Sequence, residues 1–169
     1  MNDRDSEIIK GMLIERGFVF VPRLEDADII LFNTCSVRAH AEERVYGKLG
    51  MLKALKKERP EIIFGVLGCM AQNYKEEIFK KAPYVDLVCG TGNIYELPDL
   101  LEKLTFDRTA AVCRNTDERH GMPLLAVDGP ERPEGRSGAG YREGSIRTYV
   151  TIMEGCDNFC SYCIVPYVR

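Results

Sequence analysis

Hydrophobic positions along the first two thirds of the chain follow two alternating patterns. Short, continuous apolar runs are typical of strands buried in a parallel sheet, and they occur at residues 18–21, 27–33, 62–68 and 85–89. Between these runs, apolar residues recur at helical spacing, which predicts helices at residues 8–13, 39–59, 72–81 and 94–104. Strands that alternate with helices favour an α/β fold with an open, mostly parallel sheet and flanking helices.

The periodicity is lost after the last of these helices. Residues 115–145 are rich in glycine, proline and mixed charges, a composition that predicts a linker. An apolar run at residues 149–153 then predicts one further strand. The sequence therefore predicts three parts: an α/β domain at 1–114, the linker at 115–145 and a short segment at 146–169.

Composition narrows the class of protein. The 169 residues are 45% hydrophobic, which is enough for the core of one domain. There are seven cysteines, and the first residues are charged rather than apolar, so we expect no secretory signal peptide. An odd cysteine count without an export signal favours metal or redox chemistry in the reducing cytoplasm. No apolar run approaches the ~18 residues of a membrane span, so we expect a soluble, cytoplasmic protein with no membrane partner.

Three cysteines close together carry the strongest chemical signal. Cys156, Cys160 and Cys163 follow a C-x-x-x-C-x-x-C spacing. Thiolates are the usual ligands of a 4Fe-4S cluster, and three of them leave one iron free to bind a substrate. A zinc site with a fourth ligand elsewhere is the alternative. The two histidines, His40 and His120, lie well upstream and are assigned to no site.

Two more cysteines follow predicted strands directly. Cys35 comes after the strand at 27–33, and Cys69 comes after the strand at 62–68. Ligands of parallel α/β sheets bind beyond the carboxyl ends of the strands, so both thiols are predicted at one edge of the sheet, where they could share a metal. The alternative is that each cysteine is a small apolar residue at the end of a strand.

Three motifs, in this order, resemble those of the tRNA methylthiotransferase family of radical S-adenosylmethionine (SAM) enzymes. The motifs are Asn33-Thr-Cys-Ser-Val-Arg, Gly68-Cys-Met-Ala-Gln and Gly155-Cys-Asp-Asn-Phe-Cys-Ser-Tyr-Cys-Ile-Val-Pro-Tyr-Val-Arg169. The resemblance implies that Cys156, Cys160 and Cys163 hold a 4Fe-4S cluster whose open iron binds SAM. It also implies that residues 1–114 are the family's amino-terminal domain and that residues 146–169 are the first strand and cluster loop of a truncated radical SAM barrel.

The family's amino-terminal domain holds a second, auxiliary 4Fe-4S cluster with three cysteines. Cys35 and Cys69 match two of these ligands, and the third is expected upstream of Met1. Cys89 and Cys113 lie in apolar surroundings, so we expect both in the core rather than at a metal. Tyr162 resembles the aromatic residue that packs near the adenine of SAM, and a core aromatic is the alternative.

The resemblance also implies a reaction and its partners. The branch that it indicates adds a methylthio group to C2 of N6-isopentenyladenosine beside the anticodon of tRNA. In the implied mechanism an electron cleaves SAM to a 5′-deoxyadenosyl radical, the auxiliary cluster supplies sulfur and a second SAM supplies methyl. Flavodoxin or ferredoxin is the implied reductant, and no side chain is predicted as catalytic. We expect this chain alone to be inactive, because the family continues into a barrel and an RNA-binding domain.

The charge distribution says less about the tRNA partner. The net charge of −3 argues against binding of nucleic acid by bulk electrostatics. The predicted helix and its flank at 38–59 nevertheless carry a local excess of basic residues that could face phosphates. A solvated helix face with ion pairs explains the same residues.

Several alternatives remain open at the level of sequence. Sister branches of the family act on threonylcarbamoyladenosine in tRNA or on a ribosomal protein. An iron–sulfur or electron-transfer module would bind a cluster without binding or cleaving SAM. A flavodoxin-like α/β binding domain with incidental cysteines would bind no iron at all.

Overall fold

Four parallel strands form the described sheet, and three of them lie in predicted apolar runs. The computed structural model describes residues 2–36, 39–114, 123–127, 152–153 and 155–169. The strands, in their order across the sheet, are β1 (Ile29–Thr34), β2 (Ile63–Gly68), β3 (Leu87–Cys89) and β4 (Leu124–Ala126). Every neighbouring pair is parallel. The predicted α/β fold with a parallel sheet is therefore confirmed.

Helices and short 3-10 turns connect the strands. The helices are α1 (Asn2–Glu15), α2 (Ala39–Glu58), α3 (Cys69–Tyr74), α4 (Glu77–Lys81), α5 (Leu97–Arg114) and α6 (Val165–Val168). The 3-10 turns are Leu24–Asp26 and Thr91–Glu96. None of the helices in the described ranges is both long enough and apolar enough to cross a membrane.

The alternation of side chains along β2 divides the core into two layers. Phe64 and Val66 face the layer that includes Leu49 of α2 and Ile78 of α4. Ile63 and Leu67 face the opposite layer, which contains residues of α1 and α5. All six residues of β2 are buried, as expected for a central strand that has helices on both faces.

A largely buried ion pair holds the amino ends of two strands together. Asp86, just before β3, accepts hydrogen bonds from the backbone N–H of Phe64 and from Lys56 Nζ, each at 2.7 Å. The Lys56 and Asp86 side chains are only 13% and 17% exposed. Lys56 Nζ also lies 5.4 Å from the centroid of the Phe64 ring. One carboxylate thus connects α2, β2 and β3 at this edge.

Three local expectations are wrong. Residues 18–21 were predicted as a strand, but in the structure they form none and Val19 is 84% exposed. A parallel strand needs a hydrogen-bonded neighbour, and β1 pairs only with β2 in the described sheet. The helix predicted at 72–81 is two helices, α3 and α4, because Lys75 adopts a left-handed φ of 45°. Ile152 and Met153 were predicted in a strand but are not in one.

The predicted linker at 115–145 mostly lies outside the described residues. Within it, Leu124–Ala126 forms β4, which pairs with β3 in parallel. A run of three residues is too short to show the periodicity that identifies a strand. The division of the chain into three parts stays a prediction, as does the rest of the strand at 149–153.

Candidate metal centre at the carboxyl edge of the sheet

Cys35 and Cys69 lie at the carboxyl edge, as the order of strands predicts. Thr34 and Gly68 are register partners at the ends of β1 and β2, so the residues that follow them leave the sheet side by side. The Cys69 side chain is buried and Cys35 is half-buried. The hydroxyl of Thr34 donates to the carbonyl of Leu67 at 2.5 Å, which fixes the end of one strand against the other. The role of the two thiols as metal ligands stays a prediction.

A close approach between backbones at Gly68 sets the direction in which Cys69 leaves the sheet. Gly68 has φ 87° and ψ −155°, a region that is nearly exclusive to glycine. A Cβ at this position would lie 2.6 Å from the carbonyl oxygen of Thr34 and 2.8 Å from Asn33 Oδ1. Glycine therefore allows β2 to turn directly into α3, which begins at Cys69.

Side chains on both sides of Cys35 are held by neighbouring helices. Before it, Asn33 Nδ2 donates to Ser6 Oγ of α1 at 2.8 Å. After it, the hydroxyl of Ser36 donates to one oxygen of Glu42 at 2.8 Å, and the other oxygen accepts from the hydroxyl of Tyr74 at 2.8 Å. The hydrogen bond to the Glu42 carboxylate is the first cause of a raised Tyr74 pKa, and burial is the second. Glu42 thus connects the segment after β1 to the end of α3.

The environment of Cys69 contains two charged groups from distant parts of the chain. Arg169 forms an ion pair with Asp5 of α1 and lies close enough to Cys69 for that residue to influence the pKa of its guanidinium. Burial lowers the pKa of the Arg169 guanidinium, but the influence of Asp5 and Cys69 outweighs burial and raises it overall. The guanidinium therefore stays charged beside the Cys69 thiol.

The three-cysteine segment, residues 155–169, begins and ends beside this edge. Cys163 donates its backbone N–H to the carbonyl of Cys160 at 3.0 Å, which forms a turn between the two thiols. Cys160 is exposed, while Cys156 and Cys163 are half-buried. Between the first two cysteines, Phe159 adopts a φ of 45°. The segment is thus a tightly turned loop with one thiol open to solvent.

Aromatic side chains flank this loop in two different ways. The rings of Phe159 and Tyr167 pack edge to face, with centroids 6.0 Å apart. Tyr162, the predicted neighbour of the SAM adenine, is 91% exposed. Its exposure excludes the alternative of a core aromatic within the described chain, and its role at a cofactor stays a prediction.

The predicted ligands lie in two groups that do not converge on one point. Among the residues that the structure describes, no three His, Cys, Asp or Glu side chains are close enough together to hold a metal ion. The chemistry of the donors nevertheless fits an iron–sulfur cluster, because all five predicted ligands are thiols and soft thiolates select such clusters. Assembly of a cluster on Cys156, Cys160 and Cys163 requires these three thiols to move closer together.

Cys89 is in the core, as predicted. Its side chain lies in β3 with 0% exposure. Burial, and secondarily the charge of Glu96, raises the pKa of the Cys89 thiol to about 12. A thiol that stays protonated at neutral pH is a poor metal ligand. The side chain of Cys113 lies outside the described residues, so its predicted core position is untested.

Two cations of the basic stretch at 38–59 bind carboxylates of the same domain. Lys56 pairs with Asp86, and Arg59 pairs with Asp28 and Glu61 at 3.0 Å each. These contacts lie at the amino edge, opposite the cysteines. They match the explanation by ion pairs for these two residues, and the predicted contact with tRNA phosphates stays a prediction.

Asp5 and Arg169 are the site residues that sequence reasoning missed. Arg169 ends the third motif and Asp5 lies in α1, and 164 residues separate them. An arginine directly after the mostly apolar run at 164–168 was the available signal, because a charge that becomes buried needs a partner.

Comparison with known proteins identifies the family to which this chain belongs. Residues 1–90 match the model of "Uncharacterized protein family UPF0004", and the chain belongs to this family. The whole chain is also similar to enzymes named tRNA-2-methylthio-N(6)-dimethylallyladenosine synthase. That of Clostridium botulinum strain Hall is 42% identical over 171 residues, which cover 100% of this chain and 35% of the relative.

A second relative of the same name agrees with the first. The synthase of Dictyoglomus thermophilum is 43% identical over 169 residues, which cover 100% of this chain and 36% of the relative. The resemblance to tRNA methylthiotransferases that the motifs indicate is thereby confirmed. The chain spans about a third of the length of these curated relatives.

Proposed function

We propose that this chain is part of a radical SAM methylthiotransferase that acts on tRNA. Cys156, Cys160 and Cys163 would hold the 4Fe-4S cluster that binds SAM, with Tyr162 beside the adenine. Cys35 and Cys69 would be two ligands of the auxiliary cluster. The single observation that carries the proposal is the docking of the three-cysteine segment beside the sheet edge that bears Cys35 and Cys69.

The substrate and the partners come from the relatives and the motifs. We propose C2 of N6-isopentenyladenosine beside the tRNA anticodon as the acceptor, and flavodoxin or ferredoxin as the reductant. The names of the 42–43% identical relatives support this branch. Modification of threonylcarbamoyladenosine or of a ribosomal protein is the alternative within the family. Because the relatives are about three times as long, we propose that activity requires residues beyond this chain.

The chain's own residues have separable tasks in this proposal. A bound cluster and SAM would supply the radical chemistry that no side chain provides at a purine C–H bond. Cys160 is the most accessible thiol of the three for capturing iron, because it is exposed whereas Cys156 and Cys163 are half-buried. At the other group, the Cys69 side chain is buried where β2 turns into α3, and Cys35 is half-buried beside it.

Iron and sulfide analysis after anaerobic reconstitution tests the proposal. The decisive variant replaces Cys156, Cys160 and Cys163 with alanine together. We expect it to lose about four irons per chain, the content of one cluster. The matched control is Cys89→Ala, which removes a thiol that the structure places in the core and should keep the iron content.

The outcomes separate the alternatives. Unchanged iron in the triple variant would contradict the proposed SAM-binding cluster. A cluster that assembles but does not bind SAM in equilibrium dialysis would favour the electron-transfer module. No iron in the parent chain would favour an α/β domain with incidental cysteines. Loss of iron in a Cys35→Ala/Cys69→Ala variant would report on the auxiliary cluster separately.

A further inference from the structure

The carboxyl-terminal end of the three-cysteine segment contacts the α/β domain. Val168 of α6 is 1% exposed, and α6 packs against α3, the helix that begins at Cys69. The hydroxyl of Thr91, which follows β3, donates to the carbonyl of Val168 at 2.8 Å. Thr91 and α3 both follow strands at the carboxyl edge. The segment is therefore docked on that edge rather than on a face of the sheet.

An ion pair of Arg169 is the buried polar contact between the segment and the domain. Arg169 pairs with Asp5, and the two side chains are only 6% and 12% exposed. A buried ion pair contributes little net stability, but removal of one partner leaves an uncompensated buried charge. The pair therefore fixes where Arg169 sits far more strictly than a surface pair would.

The end of the segment also contacts a third element. Helix α6 packs against α3, which begins at Cys69. Arg169 directly follows Val168, the last residue of α6, and pairs with Asp5 of α1. The end of the segment is therefore held against both α1 and α3.

The beginning of the segment also meets Arg169. Gly155 has a φ of 74°, and a Cβ on it would lie 3.1 Å from the carbonyl oxygen of Arg169. The backbone at 155 therefore passes directly against the backbone at 169. Both ends of the loop that carries Cys156, Cys160 and Cys163 meet at one residue, so the position of that residue sets the position of the loop.

We propose that Arg169 is a positioning residue that holds the three-cysteine loop beside the start of α3 through its buried pair with Asp5 and its backbone approach to Gly155. The importance of this position for catalysis rests on the proposed function. The positioning itself is a property of the chain without metal, so it is tested without a cluster.

Hydrogen–deuterium exchange of the metal-free chain measures the positioning directly. In Arg169→Gln we expect amides of residues 155–169 to exchange at least about tenfold faster, because local opening no longer breaks a buried pair. Amides of β2 should keep their protection. Asp5→Asn should give the same pattern as Arg169→Gln. The matched control is Arg16→Gln, directly after α1, which breaks exposed pairs with Asp99 and Glu102 of α5 and should leave residues 155–169 unchanged.

A conservative variant separates positioning from a general loss of packing. Arg169→Lys retains the charge and the pair with Asp5, so it should restore much of the protection that glutamine removes. Unchanged exchange in Arg169→Gln would overturn the proposal. Faster exchange throughout the domain, β2 included, would also overturn it, because that result indicates global destabilisation. If Arg169→Gln loses protection and the parent chain binds no iron after reconstitution, the positioning proposal stands and only the proposed function is refuted.

Discussion

Replacement of Gly68 by alanine tests how the fold directs Cys69 toward the site. The residue combines two constraints that alanine violates. Its φ of 87° and ψ of −155° belong to a region that costs a residue with a Cβ about 1–3 kcal/mol. The new Cβ would also lie 2.6 Å from the Thr34 carbonyl oxygen. That oxygen belongs to the neighbouring strand, so it cannot rotate away as a flexible side chain would.

The two costs add to a large fraction of the stability of a domain. Contacts under 3.0 Å essentially never occur for real Cβ atoms, so β1 and β2 must separate by at least about 0.4 Å at this point. Forced displacement in a packed core costs about 1–3 kcal/mol. Together with the backbone strain, we expect Gly68→Ala to lower the free energy of unfolding by about 2–6 kcal/mol, out of about 5–15 kcal/mol for a typical domain.

Two matched substitutions separate these terms. Gly17→Ala has a φ of 85° but meets nothing within 4 Å, so it should cost only about 1–2 kcal/mol of strain. Gly50→Ala lies in α2 with open space around it and should stabilise the helix by about 0.5–1 kcal/mol. Urea titration followed by circular dichroism measures all three. A loss at Gly68 no larger than the loss at Gly17 would refute the steric part of the reasoning.

Two further predictions concern buried polar groups. Burial raises the pKa of Cys89 to about 12, against 9.0 for a free thiol, so this thiol ionises in the unfolded chain before it ionises in the folded one, and the free energy of unfolding should fall as pH rises from about 9 to 12. Alkylation of the native chain at pH 8, followed by peptide mass spectrometry, should modify the exposed Cys160 and spare Cys89. Equal rates of modification at the two cysteines would contradict this prediction. Asp86→Ala should cost about 1–3 kcal/mol in urea titration, because it removes the carboxylate that accepts from the largely buried Lys56 ammonium and from the Phe64 N–H. Adding Lys56→Met should recover part of that loss, and a cost under about 1 kcal/mol for Asp86→Ala would contradict the assignment.

Local sequence patterns predicted the centre of the sheet because its strands carry their own signal. The run at 62–68 has no polar residue, which suits a strand buried on both faces, and β2 is such a strand. The pattern failed at 18–21, where the same apolar character occurs without a neighbouring strand. Hydrophobic runs report a preference for burial, whereas pairing depends on what the rest of the fold places alongside.

The residues of the candidate site could be predicted from the sequence in part. The cysteines were predictable because their spacing and their positions after strands are visible in the sequence. Their contacts were not, because the Asp5–Arg169 pair joins residues 164 positions apart and no periodicity relates them. The left-handed φ of Lys75, which ends α3 early, likewise depends on packing rather than on a glycine or proline that the sequence could reveal.

The buried contact between Lys56 and Asp86 has a consequence for how a metal could enter the molecule. It fastens the amino edge of the sheet, the edge farthest from the thiols. The Lys56–Asp86 pair shares no residue with the contacts of Arg169, Asp5, Thr91 and Val168 that hold the three-cysteine segment at the carboxyl edge. A movement of that segment that brings Cys156, Cys160 and Cys163 together around iron would therefore leave the amino edge of the sheet in place.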